Sequence, residues 1–178
     1  MQIAVHDKHF KPYIDAAAIQ KRVAELGAQM SEDYKGERPL IIAILNGSFV
    51  FAADLFRQLT IEAEISFIKL ASYKGTTSTG SVVTAIGMEE KITGRHVIIL
   101  EDIIDTGKTL HSFLPEILSR QPASLKIATF LTKPEALQHE VKADYVCFEI
   151  PNNFVLGYGL DYDGLGRNLP ELYTLVTE

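Results

Sequence analysis

The chain has 178 residues, 47% hydrophobic and 22% charged, with a formal net charge of −6. That length suits one domain with a substantial core, and the acidic balance argues against non-specific binding to nucleic acid, which needs a basic surface. No apolar run approaches the roughly 18 residues of a membrane span, Met1 to Phe10 is too polar for a signal peptide, and the single cysteine, Cys147, permits no disulfide framework.

Asp15 is placed to cap a helix in which Ile19, Val23, Leu26 and Met30 recur at helical spacing before Gly36 stops it. Pro39 opens a continuous apolar run, Leu40 to Leu45, that reads as a buried strand. It ends at Asn46-Gly47-Ser48, and an apolar helical stretch runs from Phe49 to Leu59. From Ile61 to Leu70, Glu62, Glu64 and Ser66 alternate against Ala63, Ile65 and Phe67, the pattern of a strand. Lys74 to Ser81 holds Gly, Thr and Ser and nothing apolar, so a mobile loop is expected.

Val82 to Met88 and His96 to Ile104 read as strands, the second the stronger. Leu110, Phe113, Leu114, Ile117 and Leu118 mark a helix with one buried face; Pro115 either delays its start or kinks it. Leu125 to Leu131 and Tyr145 to Ile150 are further strands, and Pro151 to Glu178 reads as irregular. Alternating strands and helices of this length imply an α/β domain with a parallel sheet. Ligands of such sheets sit outside the carboxyl ends of the strands.

The chemistry concentrates after Val97. An apolar strand delivers Glu101 and Asp102 near its carboxyl end, and Asp105-Thr106-Gly107-Lys108-Thr109 turns into the amphipathic helix. A Gly-containing turn at a helix N-terminus presents unpaired backbone N–H groups, which suit a phosphate. Adjacent carboxylates suit sugar hydroxyls or Mg²⁺. Gly107-Lys108-Thr109 imitates the end of a P-loop, but Asp102 stands where that motif needs its first glycine, and an acid there would repel the phosphates. Asp105-Thr106-Gly107 imitates an aspartic-protease signature, yet those enzymes are all-β and here a helix follows at once. An acidic turn with no chemistry is the bland alternative.

The whole string, Glu101-Asp102-Ile103-Ile104-Asp105-Thr106-Gly107-Lys108-Thr109, closely resembles the phosphoribosyl-pyrophosphate motif of type I phosphoribosyltransferases. Ser72-Tyr73 before the polar loop resembles the flexible catalytic loop of the hypoxanthine-guanine branch. Lys133-Pro134, Phe148 to Pro151 and Phe154 to Tyr162 resemble its purine-binding hood, and Arg167 lies where that branch keeps a pyrophosphate-contacting arginine. The resemblance runs from about Leu40 to Arg167, with the motifs in the family's order.

That resemblance implies a type I phosphoribosyltransferase fold: a central, mainly parallel twisted sheet flanked by helices, with a small hood over the purine site. Residues 1–178 would form one domain, the hood coming mainly from the C-terminal tail, with the N-terminal residues as the other candidate. It implies purine salvage: transfer of the 5-phosphoribosyl group to hypoxanthine, and to guanine, giving IMP or GMP and pyrophosphate. It also implies a Mg²⁺ cofactor, a cytoplasmic enzyme, and a homodimer or homotetramer without nucleic-acid or membrane partners.

For individual residues, the resemblance makes Asp105 the catalytic group facing purine N7. Glu101 and Asp102 would hold the ribose hydroxyls directly or through metal, and Asp105, Thr106, Gly107, Lys108 and Thr109 would grip the 5′-phosphate. Asn46, Gly47 and Arg167 would meet pyrophosphate. Lys133 would donate to the 6-oxo group, Phe154 would stack on the base, and Val155 would offer main-chain groups to its edge. Asp161 would lie by the base and the metal, so that Glu101, Asp102 and Asp161 form the metal set. Ser72 and Tyr73 would close over the reaction and exclude water. One position departs from the family pattern: Lys or Arg often precedes the glycine of the pyrophosphate loop, and here it is Asn46, which bears on pyrophosphate affinity rather than on the reaction. The five histidines show no metal-ligand spacing.

Two further functions compete with this one. A non-catalytic nucleotide sensor of the same fold that binds RNA would want a basic face, and a P-loop-like phosphotransferase would want the missing glycine.

Overall fold

Continuous apolar runs in the sequence become the inner strands of a parallel sheet, because strands covered by helices on both faces have no polar side to show. The structure is a computed structural model describing residues 2–72, 82–86 and 89–176. In chain order the elements are β1 (Ile3–Val5), β2 (Lys8–Ile14), α1 (Ala16–Asp33), β3 (Leu40–Leu45), α2 (Phe49–Gln58), β4 (Glu64–Ser72), β5 (Val82–Ile86) and β6 (His96–Ile104). After them come α3 (Lys108–Ser119), β7 (Ser124–Thr132), a short 3₁₀ turn (Pro134–Ala136), β8 (Tyr145–Glu149), β9 (Val155–Leu156) and β10 (Leu172–Leu175).

The main sheet has the order β5-β4-β3-β6-β7-β8, parallel except for β5, which pairs antiparallel with β4. Its strands alternate between two cores. Ile41, Ala43, Ile98 and Leu100 face the helices α1 and α2, packing with Val23, Leu26 and Leu55. Leu40, Ile42, Val97 and Ile99 face the other side, packing with Leu110, Phe113 and Ile117 of α3.

The helix ends follow local chemistry. Asp15 caps α1, its Oδ1 accepting from the Ala18 N–H at 2.8 Å. The helix runs three residues past Met30, to Asp33, with Gly36 beyond it in the left-handed region at φ +82°. Pro115 does not delay the start of α3, since the helix spans Lys108–Ser119 with the proline inside. The strand expected from Ile61 begins instead at Glu64, whose N–H bonds to the Pro39 carbonyl at 3.0 Å, while Ile61 packs on the core from outside the ladder. Of the strand expected over 82–88, residues 82–86 are β5 and the last two lie outside the described residues.

The tail expected to be irregular is a correction. It contributes β9 and β10 to a second sheet, ordered β1-β2-β10-β9 and antiparallel throughout. The N-terminal residues supply the other two strands, with Leu172 opposite Ile14 and Leu175 opposite Phe10. Neither segment carries a long apolar run, and the pairing of β2 with β10 joins them across nearly the whole chain. Among the described residues, no helix is long and apolar enough to cross a membrane.

Candidate active site

A cavity of about 390 Å³ opens at the carboxyl ends of β3 and β6. Its walls come from four parts of the chain: the loop Asn46–Gly47 after β3, Leu70 of β4, the stretch from Glu101 to Leu110, and Asp161 with Arg167 from the hood segment. Eleven residues expected to meet phosphoribosyl pyrophosphate or metal therefore share one cavity: Asn46, Gly47, Glu101, Asp102, Asp105, Thr106, Gly107, Lys108, Thr109, Asp161 and Arg167.

Glu101 is buried within β6, and its Oε1 accepts from the Asp102 N–H at 3.1 Å. Burial, with the Asp102 carboxylate beside it, pushes the Glu101 carboxyl well above the usual range. Asp102 turns one oxygen to the Ile103 N–H at 2.8 Å. Its other oxygen lies against Gly47, where a Cβ would sit 1.5 Å from Asp102 Oδ2. Any side chain at position 47 would have to displace the Asp102 carboxylate. On its far side the loop meets the hood: a Cβ on Gly159 would stand 2.2 Å from the Gly47 carbonyl oxygen. Ser48 closes the loop by donating its hydroxyl to the Ile44 carbonyl at 2.5 Å.

The phosphate turn is built as its composition suggests. Gly107 takes φ +78° and opens α3, leaving the first N–H groups of the helix without helical partners. The Thr106 hydroxyl accepts from the Lys108 N–H at 3.3 Å. The Thr106 carbonyl accepts from the N–H groups of Gln138 and His139 at 3.0 and 3.1 Å, so the segment after β7 braces the turn from behind. The His139 ring also stacks on His111 of α3, centroids 4.9 Å apart. Gln138 and His139 were not legible as site residues, because nothing in their own segment signals a neighbour about thirty positions away.

Lys133 does not line the cavity but reaches it through Asp105, its Nζ 3.0 Å from Asp105 Oδ2. The Lys133 N–H bonds to the Ile104 carbonyl at 2.9 Å, which ties the ends of β6 and β7 and sets the ammonium beside the carboxylate. Arg167 donates to Asp161 and to the Gly159 carbonyl, each at 2.7 Å, and Asp161 accepts from the Gly164 N–H at 2.7 Å. The two side chains are thus an ion pair on the cavity wall.

One expected grouping meets a different arrangement, and the other expected residues lie as follows. Glu101, Asp102 and Asp161 do not gather as one ligand set: among the described residues no group of three or more acidic, histidine or cysteine side chains is placed to hold a metal. Asp161 is engaged by Arg167 instead. Phe154 lies outside the cavity walls, 42% exposed, beside Phe10 and Tyr162. Val155 is buried in β9 opposite Thr174. Ser72 ends β4 opposite Val82, and Tyr73 lies outside the described residues.

A pair of neighbouring carboxylates, one of them buried without a cationic partner among the described residues, fits Mg²⁺ as two hard oxygen donors. That ion commonly takes one or two protein carboxylates and completes its shell with ligand phosphates and water.

Comparison with known proteins agrees with this geometry. The phosphoribosyl transferase domain family matches residues 11–163. The chain is 45% identical over 161 residues to the hypoxanthine-guanine phosphoribosyltransferase of Streptococcus pneumoniae (strain ATCC BAA-255 / R6), covering 90% of this chain and 89% of that one. Among solved structures, a Bacillus anthracis hypoxanthine-guanine phosphoribosyltransferase superposes with a TM-score of 0.88 at 41% identity, over 93% of this chain and 98% of that one. A Trypanosoma cruzi hypoxanthine phosphoribosyl transferase, solved to define the role of its C-terminal region in oligomeric state and activity, gives a TM-score of 0.88 at 37% identity, over 98% and 95%.

Proposed function

Because the chain belongs to the phosphoribosyl transferase family, we propose that it works in purine salvage, transferring the 5-phosphoribosyl group from 5-phosphoribosyl-1-pyrophosphate to hypoxanthine and guanine. The products are IMP or GMP and pyrophosphate. The observation that carries this reading is the meeting, in one cavity, of a phosphate-type turn, an acidic pair and a carboxylate joined to a buried lysine.

In this reading the 5′-phosphate sits on the N–H groups of Thr106 to Thr109, at the positive end of α3. Glu101 and Asp102 accept from the ribose hydroxyls and hold Mg²⁺, which when bound neutralises charge on the departing pyrophosphate. Arg167 leaves its pairing with Asp161, in part or whole, to meet pyrophosphate as a planar donor. Asn46 and Gly47 offer backbone groups from the other side.

The purine enters between Lys133 and the hood. Lys133 donates to the 6-oxo group. Asp105, released from its bond to Lys133, faces N7 and takes up the proton the base sheds as N9 bonds to the anomeric carbon. The C–O bond to pyrophosphate breaks in the same event, through an oxocarbenium-like state. Phe154 stacks on the base and Val155 hydrogen-bonds its edge.

The test is a panel of hypoxanthine, guanine, xanthine and adenine with phosphoribosyl pyrophosphate and Mg²⁺. Nucleotide and pyrophosphate should form in equal amounts from 6-oxopurines. If none is converted, the reading is wrong.

A homodimer or homotetramer in the cytoplasm completes the proposal. The Trypanosoma relative was studied for its oligomeric state. Sedimentation equilibrium of the purified chain decides the first point, and a monomer at all concentrations would reject it.

A further inference from the structure

Phe154 is half-exposed, yet its ring is not free. Phe10, fully buried, lies 6.1 Å away between centroids, and Tyr162 meets it edge-to-face at 5.7 Å and 82°. The Lys8 ammonium stands 4.7 Å from the centroid of Tyr162 and 5.8 Å from that of Phe154. Tyr162 is in turn gripped by three consecutive residues at the turn joining β1 to β2. The His6 ring meets it edge-on at 5.6 Å, the Asp7 carboxylate accepts its hydroxyl at 2.7 Å, and Lys8 lies over its face. The His6 ring nitrogen Nε2 also lies 3.3 Å from the Asp163 carbonyl. The hydrogen bond to the Asp7 carboxylate pushes the Tyr162 hydroxyl up to about 12.

None of these residues lines the phosphate cavity. Their common target is the pair of rings Phe154 and Tyr162. An aromatic platform that must be ordered on binding costs affinity in proportion to the freedom it loses, whereas one already held does not. A cation near two ring faces is an attraction that a simple packing contact lacks.

We propose that Lys8 is a positioning residue for purine binding: together with Asp7 it fixes Tyr162, and the two hold the Phe154 ring ready for the base. The inference rests on the reading of Phe154 as the purine platform. It assigns the N-terminal hairpin a part in base affinity, distinct from its pairing role in the second sheet.

The experiment compares wild type, Lys8→Met and Lys8→Arg. Met keeps the apolar stem and loses the charge; Arg keeps both. Steady-state kinetics are read with thermal melting, and the Phe154 ring is followed by NMR in protein labelled at phenylalanine, without substrate. Lys8→Met should raise KM for hypoxanthine about three- to tenfold. KM for phosphoribosyl pyrophosphate, kcat and Tm should stay near wild type, and Lys8→Arg should recover most of the loss. The Phe154 ring signal should broaden or average in Lys8→Met. An unchanged KM for hypoxanthine overturns the proposal, as does a rise of both KM values together with a fall in Tm, the mark of a merely structural role. If wild type converts no 6-oxopurine, the functional reading falls by itself. The ring signal then decides the positioning: altered in Lys8→Met it stands, unaltered it falls.

Discussion

Lys133 and Asp105 form an unequal pair: the lysine side chain is 8% exposed and the aspartate 47%, with 3.0 Å between Nζ and Oδ2. The buried member depends on the open one, since a desolvated ammonium without a partner is costly. In the reading proposed above, a base that offers the lysine a 6-oxo acceptor shares that partnership and leaves the aspartate to proton transfer.

Asp105→Asn should keep the fold, because the amide oxygen still accepts from Lys133, but lower turnover by about two to four orders of magnitude. Steady-state kinetics at saturating substrates check this. Near wild-type turnover would remove Asp105 from the mechanism.

Base choice follows from the same pair. An ammonium has three donors and no acceptor, so adenine, with its 6-amino group, would set donor against donor. Its kcat/KM should be at least about a thousandfold below that of hypoxanthine. Lys133→Gln should narrow the gap mainly by losing hypoxanthine activity. Equal use of both bases by wild type would sink the Lys133 assignment.

Gly47→Ala places a methyl group 1.5 Å from Asp102 Oδ2, so the Asp102 carboxylate must turn away from its place or the loop must shift. Overpacking of this kind costs about 1–3 kcal/mol. The expected outcome is a lower Tm and a KM for phosphoribosyl pyrophosphate raised about tenfold or more, while purine nucleotide binding measured by calorimetry changes less. A wild-type KM in the variant would show that the loop does not serve pyrophosphate.

If Glu101 and Asp102 hold Mg²⁺, activity should vanish in excess chelator and return on adding Mg²⁺. Asp102→Ala should weaken phosphoribosyl pyrophosphate more than the purine nucleotide, since pyrophosphate brings the metal. Calorimetry with each ligand is the measurement, and full activity in chelator would refute the role.

Cys147 lies in β8 at 6% exposure, and burial pushes its thiol up to about 12. The folded protein should therefore resist thiol reagents at pH 8 and react stoichiometrically once unfolded. Rapid labelling under native conditions would show that β8 opens readily.

How much of this was legible beforehand depended on distance along the chain. The sequence by itself determined β3, β6 and β7, the capped start of α1, and the turn from Glu101 to Thr109 with its helix. In each, periodicity, cap and glycine act within a dozen residues. It also carried the family resemblance, and with it most of the residues that now share a cavity. Tertiary structure alone decided the second sheet, where Lys8–Ile14 and Leu172–Leu175, at opposite ends of the chain, pair with each other. It alone set Asp102 against Gly47, Lys133 on Asp105, Asp161 on Arg167, and Gln138 and His139 behind the phosphate turn. Lys133 on Asp105, and Gln138 and His139 on Thr106, show the reason: an ion pair or a backbone hydrogen bond between segments about thirty residues apart leaves no period in either one, and comes into being only when the packed sheet has brought their ends together.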